Sequence, residues 1–412
     1  KANCVSTCPW YDWQRGVYGV QTVAYETAVS ASGGSADTRF YGAPNDRQSP
    51  GIELNTGARR ASARMNLDQT IGTRLTVSAG IDVTNNFMQN GIGGNDNAGT
   101  SPIYALAYSP AIYDLRQVDP TTGRPVRNVM HGGGSSTSNP FEVLPAITNN
   151  EDTWRQTGNV RVGLSLLSSA HHALSLVYLG GVDRFQLEGT QYSPGYLQFE
   201  PADGLLGTSQ VLNTSSRFAN QGVNAIWTFT PSWRFFNSAQ TSVGGTYETQ
   251  AVNNYNLRAR GLPATRQIAT QSGATDFAAS NSRSEFRDQS LYLNEQVIAL
   301  DERLALAFGL RADRSSANGA RGTYYAFPKY GASYRFVNPL RALGEAIDEV
   351  KLRASFGKAG NRPNYGVRDV TVAAGGVIGG LGSFRAAPVL GNPHIKPEVM
   401  NEQEYGVNAV LA

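Results

Sequence analysis

Along this chain, segments in which apolar and polar residues alternate one by one are joined by connections that are by turns very short and very long. One-by-one alternation is the period of a β-strand, whose successive side chains leave on opposite faces. In residues 74–83, Leu75, Val77, Ala79, Ile81 and Val83 point one way and Thr76, Ser78, Gly80 and Asp82 the other. Residues 303–312 repeat the pattern, with Leu304, Leu306, Phe308, Leu310 and Ala312 set against Ala305, Ala307, Gly309 and Arg311. Val350, Leu352, Ala354 and Phe356 likewise oppose Lys351, Arg353 and Ser355. One face suits lipid and the other water, so the chain is expected to be all-β, an antiparallel transmembrane β-barrel.

The connections carry the topology. Short ones fall at residues 33–37, 71–73, 168–171, 230–232 and 301–302, and long ones at 45–59, 87–150, 189–216, 251–283 and 360–398. An outer-membrane barrel has short turns on its periplasmic rim and long loops on its extracellular rim, so it demands this strict alternation, whereas a soluble sandwich does not. About thirteen strands are expected. They lie near residues 21–32, 38–45, 60–70, 74–86, 151–167, 172–188, 217–229, 232–250, 284–300, 303–316, 324–337, 349–359 and 399–412. Residues 1–20 then form a first extracellular loop, 87–150 a long one, and 360–398 a third.

Composition narrows the alternatives. Charged residues make up 16% and the mean hydropathy is −0.32, below the charge density of a soluble surface and far from the apolarity of a helical membrane protein. No apolar run approaches the roughly 18 residues of a spanning helix, and no basic-plus-apolar start marks a signal peptide. The 45 Gly, 19 Tyr, 16 Phe and 5 Trp suit turns, small inward residues and interfacial aromatic girdles. A net charge of +3, without basic clusters interleaved with aromatics, gives no reason to expect nucleic acid as a partner. Nothing in the 412 residues reads as a linker, so one barrel unit is expected. The strand count is odd, and the last segment has neither turn nor partner. Because an unpaired edge in hydrocarbon costs several kcal/mol per orphaned group, the chain is expected to be a piece of a longer one.

Several stretches, taken in order, resemble the SusC/RagA family of TonB-dependent outer-membrane transporters. They are Asp12-Trp13-Gln14, the hairpin Ser30 to Ser35 leading into Arg39-Phe40-Tyr41, Gly51-Ile52, and Arg60 to Asp68 with its Asn66-Leu67-Asp68 end. Further on come Lys351 to Asn361, the run Leu390-Gly391-Asn392-Pro393-His394-Ile395-Lys396-Pro397-Glu398, and Glu404-Tyr405-Gly406-Val407. The resemblance implies a barrel of about 22 strands around a plug, with the plug and its TonB contact outside this chain. It further implies location in the cell outer membrane of a Gram-negative bacterium and contact with outer-membrane lipid. The implied activity is uptake of oligosaccharides or peptides with a SusD-like surface lipoprotein, without enzymatic chemistry or a cofactor. Two departures carry expectations of their own. Pro44 stands where the resemblance expects an aromatic, and since Pro cannot donate to a ladder the upper part of that strand is expected to be short or bulged. Gly375-Gly376 and Gly379-Gly380 are expected to make the loop before Leu390 flexible.

Cys4 and Cys8 lack the four ligands of a structural zinc site, so no metal is expected; in an oxidising compartment they read as a small disulfide, with two free thiols as the alternative. His131-Gly132-Gly133-Gly134 imitates an esterase oxyanion motif but has no G-x-S-x-G partner, and reads as a loop tip. Gly91 to Asp96 follows no buried strand and opens no helix, so it is no dinucleotide site. His171-His172 falls in a turn, as solvated imidazoles. In the long loop, residues 102–113 have helical spacing, and Tyr104, Tyr108 and Tyr113 either fold the loop onto its neighbours or line a substrate path under an external lid. By period-two counting Arg64, Asp82, Arg161, Arg311, Lys351 and Arg353 share the polar, lumen-facing side, since a charge facing lipid costs about 2–4 kcal/mol at the midplane. They are expected to line the lumen against a plug, with substrate contact as the lesser role. A passive porin, a barrel enzyme and a secreted β-sandwich adhesin or lectin are the competing readings. The sandwich would expose Leu304, Leu306, Phe308 and Leu310 as an apolar stripe.

Overall fold

A computed structural model describes residues 8–92, 101–128, 138–200, 204–263, 273–337, 347–386 and 389–411. The strands are β1 (Tyr25–Ala28), β2 (Ala31–Gly34), β3 (Thr38–Pro50), β4 (Gly57–Ile71), β5 (Leu75–Gln89), β6 (Thr148–Ser168), β7 (His172–Ser193) and β8 (Thr208–Phe229). They continue with β9 (Phe236–Arg260), β10 (Asp276–Ala299), β11 (Leu304–Ser315), β12 (Tyr325–Val337), β13 (Ile347–Asn361), β14 (Val372–Ile378), β15 (Leu381–Ala386) and β16 (Glu398–Leu411). Three short helices lie among the loops: α1 (Trp13–Tyr18), α2 (Pro102–Tyr108) and α3 (Pro140–Ala146).

Fourteen strands form one sheet in which sequence neighbours pair in turn, β13 pairing with β16 across the separate hairpin β14–β15. Every pairing is antiparallel. Since β1 and β2 both lie against β3, the sheet has thirteen strand positions, as the alternation predicts. Its two edges do not pair with each other among the described residues. The strands outrun the expected boundaries on the long-loop side: β6 to β10 are 21, 22, 22, 25 and 24 residues. Above the lipid both faces meet water, so the apolar alternation fades while the hydrogen-bond ladder continues.

Pro44 does not shorten its own strand. β3 runs on to Pro50, with Pro44 in register opposite Ala63. The interruption falls on the neighbouring strand, where Val29 and Ser30 separate β1 from β2 and Val29 N–H donates to the Pro44 carbonyl at 3.2 Å. A residue's amide and carbonyl point to the same side of a strand, so the missing Pro44 donor faces that edge and breaks the partner. The glycines before Leu390 are likewise placed. Gly379 and Gly380, at φ 59° and 81°, are the two central residues of the β14–β15 turn, where positive φ at both positions suits a tight hairpin. Gly375 and Gly376 sit at the register shift between Ala374 and Val377.

Register carries one apolar face across the strands. Phe308, Tyr330 and Phe356 are mutual partners on β11, β12 and β13, with ring centroids 5.5 and 6.1 Å apart. Ile81, Val182, Val223, Leu291, Leu306 and Leu352 stay on this face and are 39% exposed or more, as lipid-facing side chains are when only protein surrounds them. One carboxylate, Glu295, interrupts the face and accepts the Thr241 hydroxyl at 2.6 Å. At the short-turn rim His172 stacks on Phe229 at 4.9 Å, and Phe229 meets Trp233 edge-on at 5.8 Å, an interfacial girdle. Arg184, Arg217, Arg287 and Arg314 end the apolar stripe at the other rim. Fully buried apolar side chains are found mainly in the loops, not in the wall: Val17, Leu115, Val143 and Leu197 are at most 1% exposed.

Candidate functional site

The polar face is held by ion pairs, most of them between neighbouring strands. Arg64 and Asp82 are direct ladder partners on β4 and β5, their Nε and Oδ2 3.1 Å apart, and Thr84 donates to the other Asp82 oxygen at 3.1 Å. Arg155 pairs with Asp183 at 2.5 Å. Arg311 pairs with Asp313 at 2.8 Å and donates to Ser290 Oγ at 2.7 Å, and Arg353 pairs with Glu404 at 3.0 Å. Of the six charges assigned to the polar face, Arg64, Asp82, Arg311 and Arg353 thus enter ion pairs along it. Arg161 and Lys351 enter none among the described residues. Most of these pairs are half-exposed, so each adds little to stability and they act mainly to keep the face charged and hydrated.

Where the long loops bend over this face they enclose a cavity of about 360 Å³. Its wall includes Glu248 on β9, Asp288 on β10 and Arg311 and Asp313 on β11; Asn318 and Arg362 come from the connections that follow β11 and β13. Glu248 and Asp288 are direct ladder partners, two carboxylates side by side. Arg362 reaches across from the edge of β13, pairs with Asp288, donates to Gln250 Oε1 at 2.8 Å and lies over the Phe286 ring with its carbon 3.8 Å from the centroid. Such an arginine, stacked and charge-paired, fixes the start of its loop against the wall. Arg368, further along the same loop, donates to the Ser316 and Asn318 carbonyls at 2.9 and 3.3 Å. Counting from the short-turn rim, Glu248 stands twelve residues above Phe236, a rise of roughly 30 Å for a strand tilted 35–45°. The cavity therefore lies at the upper edge of the apolar band, beneath the loops.

The β5–β6 and β7–β8 loops have a core of their own. Ile92, Val143, Ile147 and Leu197 pack together with Ala146 and Phe199 against them. Asn139, wholly buried, caps α3 by accepting from Phe141 N–H at 3.0 Å and donates to the Leu115 and Val126 carbonyls at 2.6 and 2.8 Å. Asn128 and Gln198 exchange two 3.0 Å hydrogen bonds that join the long loop to the β7–β8 connection. The first loop docks on the same assembly: Trp13 Nε1 donates to the Tyr113 carbonyl at 3.1 Å, and the Trp13 ring meets Phe141 edge-on at 5.5 Å. Burial raises the Glu142 carboxyl despite Arg124 at 3.6 Å, and it raises Glu200 despite hydrogen bonds from Ser193 and Thr208.

The three tyrosines fall in different places. Tyr104 and Tyr108 lie one turn apart on α2, the first half-buried and the second exposed. Tyr113 is engaged within the loop, its hydroxyl donating to the Arg127 carbonyl at 3.1 Å, and burial raises its pKa. Cys8 is disulfide-bonded, while Cys4 lies outside the described residues. His131 to Gly134 and Gly93 to Asp96 also lie outside them. His171 sits in its turn with Nδ1 2.9 Å from the Thr230 carbonyl. No group of three metal-ligating side chains occurs among the described residues. Glu248, Asp288, Asn318 and Arg362 escape sequence reasoning. Period-two counting puts Glu248 and Asp288 on the polar face, but only register sets them side by side, and Asn318 and Arg362 lie in loops without period.

Comparison with known proteins identifies the architecture. A family model described as TonB dependent receptor-like, beta-barrel matches residues 107–411, about three quarters of the chain. The chain belongs to this family of outer-membrane receptors. It is 23% identical to TonB-dependent receptor P26 of Formosa agariphila over 99% of its own length and 40% of that protein's. The structure of the RagAB peptide importer in its open-open state superposes with a TM-score of 0.74 at 16% identity, over 94% of this chain and 42% of that one. The siderophore receptor PiuA from Acinetobacter baumannii follows at 0.50 and 12%, over 93% and 52%. The chain thus spans less than half the length of the receptor P26 and of the importer chain.

Proposed function

We propose that this chain forms part of the barrel wall and the extracellular lid of a TonB-dependent active importer of oligosaccharides or peptides, working with a SusD-like lipoprotein over its mouth. The observation that carries the reading is the cavity on the polar face, at the upper edge of the apolar band, roofed by loops that Arg362 ties to Asp288. A plain pore needs no such roof. A wall that hands substrate inward from beneath a lid does. Membership of the receptor family and the fold shared with the RagAB importer support the same reading. In this reading the paired charges of the polar face meet a plug, and energy arrives from the inner-membrane proton gradient through TonB acting on that plug.

Uptake tests it directly. In cells making the protein as their genome encodes it, import of its substrate should stop when the proton gradient is collapsed or TonB is deleted. Uptake that persists in both cases refutes active import and favours a passive porin. Replacing Tyr104, Tyr108 and Tyr113 together with Ala should weaken import while the barrel still assembles. Unchanged import would assign all three to loop packing, the role in which Tyr113 already appears.

A further inference from the structure

The lipid-facing side of the wall ends upward in arginines, and two of them stand together. Arg184 on β7 and Arg217 on β8 are direct ladder partners, and both are exposed. Neither enters an ion pair among the described residues. Like charges directly opposite on a sheet destabilise it, so this pair calls for an anion. The neighbouring carboxylates are occupied or out of reach. Glu285 pairs with Arg283 at 3.3 Å and with Arg287 at 2.6 Å. Glu188 and Asp152 are ladder partners of each other four residues further along their strands, roughly 13 Å from the pair. At their other ends the same two strands close on His172 and Phe229, also ladder partners, twelve residues below the arginines. In strands tilted by 35–45° that is a rise of roughly 30 Å, which sets the pair at headgroup level above the hydrocarbon. Directly below it lies a groove of about 550 Å³ whose side chains come mainly from the lipid face. Gly158, Val182 and Ala219 form the ladder row next beneath the arginines. Gly158, Gly180 and Ala219 keep the floor of the groove low, while Tyr178, Val182 and Tyr247 rise around it.

We propose that this face binds one phosphorylated glycolipid of the outer leaflet, its phosphate between Arg184 and Arg217 and an acyl chain in the groove. A guanidinium meets phosphate oxygens with a fork of parallel N–H donors, and two that face each other can share one phosphate. Neither half of the site suits a simpler ligand. A soluble anion gains nothing from the groove, and a neutral lipid leaves the arginines unmatched. A molecule with an anion at the water boundary and hydrocarbon beneath it satisfies both. The rim with the long loops is the extracellular one, so the lipid is drawn from the outer leaflet, whose acylated headgroup is a phosphorylated glucosamine disaccharide. The site is on the opposite face of the wall from the cavity and would hold lipid whatever the barrel imports.

The test uses the protein as its genome encodes it, purified in detergent and titrated under native mass spectrometry. The probes are an acylated glucosamine disaccharide bearing one phosphate, the same lipid without the phosphate, phosphatidylglycerol, and inorganic phosphate. An arginine beside an anionic headgroup is worth about a fivefold gain in affinity, so the phosphorylated disaccharide should bind roughly thirtyfold more tightly than its phosphate-free form. Arg184→Gln with Arg217→Gln should bring the two to equal affinity, whereas Arg184→Lys with Arg217→Lys should keep most of the preference. Ala219→Trp, which fills the groove, should weaken both lipids alike. All variants should retain the heat-modifiable gel migration of a folded barrel. Equal binding of the two disaccharide lipids by the unaltered protein overturns the proposal whether or not the variants fold. So does a preference that survives in the double glutamine variant. Inorganic phosphate that displaces the lipid at the lipid's own concentration would reduce the site to a bare anion pair, and unchanged lipid binding in Ala219→Trp would remove the groove; each overturns the lipid assignment. Phosphatidylglycerol binding as tightly as the phosphorylated disaccharide would overturn the glycolipid in favour of a phospholipid.

Discussion

Replacing Asn139 with Ala should loosen the loop assembly around α3 and leave the barrel wall untouched. The side chain is wholly buried and makes three hydrogen bonds, one as the cap of α3 and two as donor to the Leu115 and Val126 carbonyls. Losing an N-cap costs about 1 kcal/mol. Each buried carbonyl left without its donor adds about 1 kcal/mol or more, giving roughly 2–4 kcal/mol in all. That range is about a thirtyfold to several-hundredfold rise in the opening equilibrium of the loop. Hydrogen exchange read by mass spectrometry resolves it: amides of residues 115–128 and 138–147 should lose protection together, while the β9–β10 ladder exchanges as before. Unchanged protection in Asn139→Ala would refute the view that this side chain pins the assembly. Equal loss of protection in β9 and β10 would refute the view that loop and wall are separate stability units.

Three further expectations are as direct. Single cysteines at Leu75, Val77, Leu306 and Phe308 should resist a membrane-impermeant thiol reagent that labels cysteines at Thr76, Ser78 and Arg311, and equal labelling of both groups would sink the barrel. Non-reducing peptide mapping of protein from its native envelope should recover Cys4 linked to Cys8; two free thiols would refute the pairing. Because burial raises the carboxyls of Glu142 and Glu200 in the folded loops, their contribution favours the docked loop below the unfolded glutamate value of about 4.3. That contribution is lost as pH rises through the raised values, so loop protection, corrected for intrinsic exchange, should fall with rising pH. Glu142→Gln with Glu200→Gln should flatten the dependence, and protection that rises with pH would contradict the sign.

The wall was legible because lipid imposes a rule on every other residue. In residues 74–83 and 303–312 the alternation located the strands and their faces, and the ladder partners Phe308 and Tyr330 confirm which side each presents. The rule lapses above the membrane, so the upper thirds of β9 and β10 carry no alternation that marks them as strand. Pro44 shows a further limit. Its effect falls on the neighbouring strand, and a one-dimensional reading assigns it to its own. The site was less visible still. Ion pairs such as Arg64 with Asp82 need only period and proximity in sequence, whereas the cavity joins Glu248, Asp288, Asn318 and Arg362 from four segments whose meeting depends on strand order and loop path.

The division between wall and loops follows from the solvent each part meets. A barrel wall turns its apolar side chains to lipid, so it gains little from hydrophobic burial and is held by the backbone ladder, in which every group finds a partner along the strands. Loops in water have no such ladder and must bury apolar surface to hold a shape. They do so here around Ile92, Val143, Ile147 and Leu197, with buried amides of Asn139 and Gln198 satisfying the carbonyls that an irregular backbone leaves open. The β11–β12 and β13–β16 connections over the cavity contribute no described residue to that core and are held instead by Arg362 on Asp288 and Gln250 and by Arg368 on the Ser316 and Asn318 carbonyls. Two groups of loops therefore hold their shape by different means, one by a core of its own and the other by a handful of polar ties.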